Sequence, residues 1–571
     1  MIQTTNNLSR NGVRPNFWFI FFVVFMLFAI KALIILNDGW QFGRLALPPV
    51  YDDVVYFSDG IKRLAIYKES GLWGVTLNLF NNLPHSPYAT LASFLSFAVA
   101  GSVRSGPYFV NAITAALLVS WLLKKFAASL SLAALLALVL ISLPWFDHLI
   151  TIFHPDLMAG LGTAVVGAII IWQHETVRTR WDAFEVGLVA GWVLLIKPSA
   201  IIMMVILWSA AFGIASLWQF EAGRIGFCPP TRETFRRLGV AFLGVTLASG
   251  WYLAPAFPSI VGYIYHALIV DSDTWALKIS ITAHALYYIQ ISYNYFGYWL
   301  PAIPLLFLIA PLATADARER GNLLIGSVSL VTMFSIAYII PSVTPIKVAL
   351  FGGMIYGIIV IGIVVSFIQI NRSIFSTEII QLFFVKITAK SLKRLFFLGL
   401  VIGVMMTIGD HQWRVPQVWI DDHCLLYERI FTICKDKLTS SRHKDVILFW
   451  PTMAPVGPLA LEFRGEVEGV KIVLAPKDQQ PKIRPNFETN LETLKRGATI
   501  SDIVVIPDDE LAMATKFFPV TRIIRPFREW LSANSQFRQV SELAIRPASE
   551  LAIGGGKIFI FENDHRLAAP P

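Results

Sequence analysis

The sequence predicts a mainly α protein: a polytopic transmembrane helix bundle carrying a small C-terminal α/β domain outside the membrane. Three observations predict it. Of the 571 residues, 55% are hydrophobic and only 15% are charged, too little charge to cover a soluble surface. Apolar segments of membrane-crossing length recur through residues 1–409. Beyond them, residues 410–571 change to short β-branched runs separated by polar helical stretches.

The first apolar segment, Phe17–Leu36, reads FWFIFFVVFMLFAIKALIIL. Its length of about 20 residues crosses ~30 Å of hydrocarbon. No small-residue cleavage site follows, so it reads as a signal anchor. Lys31 within it can snorkel to the nearer interface. Further spans are expected near 106–123, 127–146, 157–173, 183–196, 198–218, 238–255, 299–314, 322–341, 348–370 and 394–409. The total is about eleven on the length rule. The pair flanking Lys197-Pro198 is short enough to be two helices with ends buried in protein.

Basic residues fall at every other crossing. They are Arg10 and Arg14, Lys124 and Lys125, Arg178 and Arg180, Arg224 to Arg237, Arg318 and Arg320, and Arg372 to Arg394. Such loops face the cytoplasm. The N-terminus is then cytoplasmic. The loops at 37–105, 147–156, 256–298 and 341–347, with everything after residue 409, face outward. The same asymmetry accounts for the net charge of +9. No basic domain stands apart, which argues against nucleic-acid binding.

Two stretches of the outer loops are more than linkers. YATLASFLSFAVAG at Tyr88–Gly101 is too short to span and reads as a helix in the outer interface. Residues 258–299 are rich in Tyr and Trp, as an interfacial belt requires. In the C-terminal part, DVILFW (445–450), VKIVLA (470–475), DIVVIP (502–507) and KIFIFE (557–562) read as strands. Gly554-Gly555-Gly556 is a turn rather than a phosphate loop, because no helix follows it. Of the three cysteines, Cys228 falls in an inner loop, whereas Cys424 and Cys434 share the C-terminal region. Ten residues along one helix separate those two by ~15 Å, too far for a disulfide.

Chemistry points first to Asp52 and Asp53, in LPPVYDDVVYFSDG. A carboxylate at a membrane surface can deprotonate a hydroxyl or hold a metal. The competing reading is an exposed acidic loop. Adjacent side chains point in different directions, so one of the two faces a given site. Asp156, in ITIFHPDLMAG, opens a helix after His154 and Pro155. Ordinary capping explains it as well as catalysis does, yet it lies on the same outer face. An anionic leaving group would need cations. Lys197 in VLLIKPSA, Lys347 in PSVTPIKVALFGG, Arg104 and His85 are the candidates, with interfacial anchoring as the competing reading. Lys197 stands out, because a charge between two spans is costly unless paired. HExxH, CxxC, Walker and GxGxxG patterns are absent, against a zinc protease, a redox enzyme or an ATP-driven pump.

Taken in order, these features resemble a family. An acid pair follows the first span, His85-Ser86-Pro87-Tyr88 opens a short helix, and Gly101 and Arg104 precede the second span. His154-Pro155-Asp156 enters a later one, and Leu195-Ile196-Lys197-Pro198 separates two short ones. The pattern over residues 40–410 is similar to membrane glycosyltransferases of the GT-C type. It is nearest the dolichyl-phosphate-mannose protein mannosyltransferase and lipid A aminoarabinose transferase group. The resemblance implies a polyprenyl-phosphate sugar donor and transfer on the periplasmic or lumenal face, with inversion at the anomeric carbon. The acceptor would be a lipid, a glycan or a protein. Asp52 or Asp53 would be the general base, with Asp156 assisting it or holding a divalent metal ion. His85, Arg104, His154, Lys197 and Lys347 would serve the donor phosphate. The sequence departs from the family in carrying Asp-Asp in the first loop and His154 where an arginine is common.

Two other classes compete. A transporter or flippase of a lipid-linked glycan would place charges near mid-membrane and often shows paired repeats. Few mid-depth charges and no repeat are seen. A membrane-anchored assembly protein would need no acid at all. The Asn-x-Ser/Thr sequons at Asn7 and Asn371 fall on the cytoplasmic side, consistent with a bacterial inner membrane.

Overall fold

The computed structural model describes residues 16–47, 52–101, 103–221, 224–227, 230–270, 279–297, 317–344, 346–347, 349–376, 379–382, 385–388, 416–440, 444–452, 458–475, 488–513, 519–547 and 555–564. The protein is mainly helical. In chain order the membrane part comprises α1 (Phe17–Phe42), α2 (Asp52–Asn81), α3 (Pro87–Ala100), α4 (Ser105–Lys125), α5 (Leu130–Ser142), α6 (Pro144–Thr151) and α7 (Pro155–Ile171). There follow α8 (Gln173–Thr176), α9 (Arg180–Ile196), α10 (Ile201–Leu217), α11 (Arg232–Tyr265), α12 (Ile281–Phe296), α13 (Ala317–Val343) and α14 (Gly353–Ser376).

Six helices are long and apolar enough to cross a membrane: Phe17–Phe42, Ser105–Lys125, Pro198–Leu217, Arg232–Tyr265, Gly321–Val343 and Ala349–Gln369. Such helices make the chain an integral membrane protein. The expected total of about eleven is not reached among the described residues. The span expected at 127–146 is bent by 74° between α5 and α6. The cause is local: Leu143 is extended at ψ 132, as the residue before Pro144 prefers. The spans expected at 157–173 and 183–196 are helices of 17 residues each, α7 and α9. Those expected at 299–314 and 394–409 lie outside the described residues.

Between α1 and α4 the chain is helical rather than loop. Helix α2 is broken at Gly71, whose φ of 65° is open to glycine at little cost. Helix α3 begins with Ser86 capping the Ala89 amide and Pro87 in the first turn. Lys31 does not stand alone: it pairs with Asp147 at 3.4 Å.

Glycines set how closely the helices approach. A Cβ built on Gly353 would lie 2.4 Å from the Asp156 carbonyl oxygen, and one on Gly160 would lie 1.9 Å from that of Gly353. Helices α7 and α14 therefore touch backbone to backbone through Gly160, Gly353 and Gly357. The same holds for α9 and α11 at Gly187, Gly191 and Gly244. Small residues at four-residue spacing favour this packing in membranes, where contact must supply what the hydrophobic effect cannot.

The C-terminal domain is α/β, as expected. It has α15 (Gln417–Ser440), α16 (Leu459–Glu468), α17 (Leu491–Thr499), α18 (Asp509–Met513) and α19 (Ile524–Ala533). Two hairpins precede it, β1–β2 (Trp218–Glu221 and Arg224–Phe227) and β3–β4 (Ile379–Leu382 and Val385–Thr388). Its sheet contains β5 (Val446–Phe449), β6 (Ile472–Leu474), β7 (Ile503–Pro507), β8 (Phe537–Ile545) and β9 (Gly556–Asn563), in the order β6-β5-β7-β9-β8. Strands β5, β6 and β7 run parallel, and β9 pairs antiparallel with β7 and β8. Alternate residues of β7 feed opposite cores. Ile503 and Val505 face one with α15, whereas Val504 and Ile506 face another with α19. Burial on both faces explains why IVVIP lacks polar alternation. Cys424 and Cys434 lie on α15 and are both free.

Candidate active site

Asp53 and Asp156 lie in the opening turns of α2 and α7. Helix α7 carries Asp156 in its first turn and leads toward Arg178, and α9 returns from Arg180 to Ile196, just before Lys197. Two buried charge clusters form at the acidic end.

The first surrounds Asp53, in the opening turn of α2, where a helix favours negative charge. The residue is 1% exposed. Arg44 Nη2 lies 3.0 Å from Oδ2, and the Tyr108 hydroxyl donates to the same oxygen at 2.7 Å. Both partners direct a proton-bearing atom at this one carboxylate oxygen. Arg44 also donates to the Thr151 carbonyl at 3.0 Å, which ties this cluster to the chain entering the second. The Asp52 side chain lies outside the described residues.

The second cluster joins His154, Asp156 and Lys197. Lys197 Nζ donates to Asp156 Oδ2 at 2.8 Å, and His154 Nδ1 meets that same oxygen. Lys197 is buried at the break between α9 and α10, with φ −140° and ψ 81°. Pro198 follows it and disfavours continued α geometry. The end of α9 is satisfied by the Ser86 hydroxyl, which donates to the Ile196 carbonyl at 2.7 Å. Pairing is what makes a buried ammonium tolerable here.

Phe153 spans the gap between the clusters. It packs against Tyr56, Phe57 and Tyr108, with ring centroids 5.5–6.2 Å apart.

The other expected cations take separate positions. Arg104 precedes α4 and lies 5.0 Å over the Trp40 ring. Burial draws its guanidinium below its ordinary range, against the opposing pull of Tyr108 and Cys424. His85 is exposed and its ring rests on Tyr263 at 4.8 Å. Lys347 is buried, and its ammonium donates to the carbonyls of Pro341, Ser342 and Thr344 at 2.6, 2.9 and 2.6 Å. It also sits 5.7 Å over the Tyr288 ring. Burial lowers its pKa. The structure thus gathers His154, Asp156 and Lys197, sets Arg104 on the Asp53 side, and leaves His85 and Lys347 with partners of their own.

Sequence reasoning passed over Arg44 and Tyr108, which frame Asp53. It also passed over an aromatic group in which Tyr295 stacks on Tyr356 at 4.1 Å and His148 meets Tyr295 at 4.5 Å. The hydroxyls of Tyr288 and Tyr356 are buried with no hydrogen-bond partner among the described residues. Among those residues no three His, Cys, Asp or Glu side chains are grouped to hold a metal ion. Asp156, the acid expected to hold a divalent ion, already faces an ammonium, so the described residues around it do not fit that ion.

No known family profile matches the sequence, and no curated protein matches it. Solved structures do. ArnT from Cupriavidus metallidurans bound to undecaprenyl phosphate aligns over 95% of this chain and 99% of its own, with a TM-score of 0.51 at 10% identity. ArnT from the same organism in the apo state aligns over 96% and 99%, with a TM-score of 0.51 at 12% identity. The likeness spans the bundle and the C-terminal domain together, and it is the GT-C-type fold that the chain shares.

Proposed function

We propose that the protein is an inverting glycosyltransferase that moves a sugar from a polyprenyl-phosphate donor to a lipid, glycan or protein hydroxyl at the outer face of a bacterial inner membrane. The observation that carries this reading is the buried Asp53 carboxylate, held by two donors at the same end of the bundle as Lys197 and His154. The fold supports it, since a solved structure of that fold holds undecaprenyl phosphate.

Asp53 is the general base. It takes the proton of the acceptor hydroxyl as that oxygen attacks the anomeric carbon from the face opposite the phosphate. The bond between the anomeric carbon and the phosphate oxygen breaks, and the phosphate leaves with the electron pair. Lys197 and His154, held by Asp156, supply the positive charge that stabilises it. Arg104 is a further phosphate ligand on the Asp53 side. Lys347 and His85 reach the phosphate only by leaving the partners they hold here. Asp52, the neighbouring acid, is the alternative base. The N-terminus lies in the cytoplasm and the C-terminal domain in the periplasm, so donor and acceptor meet at outer headgroup depth.

The test uses purified full-length protein in liposomes with a panel of undecaprenyl-phosphate sugars, read by release of undecaprenyl phosphate. Release that requires Asp53 and an added acceptor supports the transferase. Movement of intact lipid-linked sugar across the bilayer, with no release, would establish the flippase instead.

A further inference from the structure

The C-terminal domain places a buried aromatic side chain in the bundle core. Phe463, on α16, is 4% exposed and is a member of the bundle's hydrophobic core rather than that of its own domain. Among the described buried members of that core, it is the one from the C-terminal domain. Its ring lies 5.8 Å from Phe57 and 6.2 Å from Phe97. Phe57 sits one helical turn after Asp53 and meets Tyr108 at 5.5 Å and Phe153 at 5.5 Å. Tyr108 is the residue that donates to Asp53, and Phe153 adjoins His154. Phe463 therefore closes a box of aromatic rings whose other walls position both acidic clusters.

Charges lock the same contact from outside. Glu462 and Glu466 flank Phe463 on α16, and Lys62 of α2 meets them at 3.9 and 3.0 Å. On the opposite side of α16, Arg464 lies 4.1 Å over Phe431 and pairs with Glu428 at 2.7 Å, which fixes the helix to its own domain. Helix α16 thus lies between Phe431 and Glu428 of its own domain and Phe57 and Lys62 of α2.

We propose that Phe463 is a positioning residue for the transfer reaction: through Phe57 and Tyr108 it holds the Asp53 carboxylate in place, so that the C-terminal domain sets the rate of transfer. This rests on the transferase reading for its kinetic consequence and on the packing alone for its structural one. A misplacement of about 1 Å costs on the order of 100-fold in rate.

Two measurements on the full chain separate the two. In the first, a water-soluble carbodiimide is applied without substrate and its adduct at Asp53 is read by mass spectrometry. Phe463→Ala is expected to increase labelling several-fold over the protected wild type, whereas Phe463→Met, which refills most of the volume, restores protection. In the second, Phe463→Ala lowers kcat on the order of 10- to 100-fold with donor KM within about twofold of wild type. Phe463→Met recovers most of the rate. If Phe463→Ala yields no folded protein, Lys62→Met and Glu466→Gln loosen the contact from its surface, and the same rise in labelling is expected. Unchanged labelling in the folded variants overturns the positioning role, whatever the activity. Raised labelling with an unchanged kcat confines Phe463 to packing and overturns the proposal. Wild-type protein that releases no undecaprenyl phosphate refutes the transferase reading, and the labelling result still decides what Phe463 holds.

Discussion

Replacing Lys197 by Met isolates the energetics of the second cluster. The ammonium sits 2.8 Å from the Asp156 carboxylate, and both side chains are about nine-tenths covered. At that distance, with an effective interior dielectric of about 20, the attraction is about 6 kcal/mol. Methionine keeps the stem's volume, so packing changes little. What is lost is the charge, and a carboxylate is stranded with His154 as its remaining partner. Protonation of His154 or of Asp156 recovers part of the loss. The net destabilisation expected is roughly 3–5 kcal/mol, as for other buried pairs broken from one side. The double variant Lys197→Met with Asp156→Asn removes both charges. It should be more stable than Lys197→Met alone, because nothing is left unpaired. The assay is reversible denaturation of the full chain in detergent, analysed as a double-mutant cycle. Single-variant losses that simply add in the double variant would refute a direct pair.

Three further outcomes follow from other parts of the structure. Asp53→Asn should lower kcat by about 10²–10⁴-fold with little change in donor KM, read by undecaprenyl phosphate release. Gly353→Ala should destabilise the bundle by about 1–3 kcal/mol, because its Cβ would lie 2.4 Å from the Asp156 carbonyl. Gly213→Ala, where nothing lies within 4 Å, should be neutral or stabilising by up to about 1 kcal/mol. In the C-terminal domain, burial against Trp419 pushes the His423 pKa from 6.5 down to about 4. Between those values the unfolded chain binds a proton that the native chain does not, so stability falls as pH falls, by roughly 3 kcal/mol in full. Hydrogen exchange of residues 417–440 against pH should show that slope, and His423→Phe should flatten it.

The sequence made some of this legible and hid the rest for physical reasons. Each of the four expected strands of the C-terminal domain is present, because the parallel β5, β6 and β7 and the antiparallel β9 between β7 and β8 are all short apolar runs. Strand β8 was missed because it is an edge strand, FRQVSELAI, half exposed and polar. The break at Lys197-Pro198 was readable, since proline and a lone charge both mark it. The bend at Leu143-Pro144 carried the same proline signal, yet the surrounding leucines masked it. GMIYG at 353–357 and GLVAG at 187–191 carry the small-residue spacing of close helix packing, a signal passed over in the sequence, and spacing alone does not say which helix is the partner. Lys197 stood out as a costly charge and Asp156 as an acid on the outer face, although their pairing across 41 residues is a property of the fold. Arg44 and Tyr108 were invisible for the same reason. An arginine after a span reads as an anchor, and a tyrosine in a helix reads as core.

The reach of Phe463 into the bundle has a consequence for assembly. Asp53 emerges early in synthesis, and the residue that closes its box is made only after the membrane helices. Domains fold as units in order of emergence, so a partly made chain would carry its acid in a loose turn. The finished C-terminal domain then supplies a late piece of the membrane domain's core, and a chain truncated before α16 would keep its helices yet lack the Phe463 ring beside Phe57.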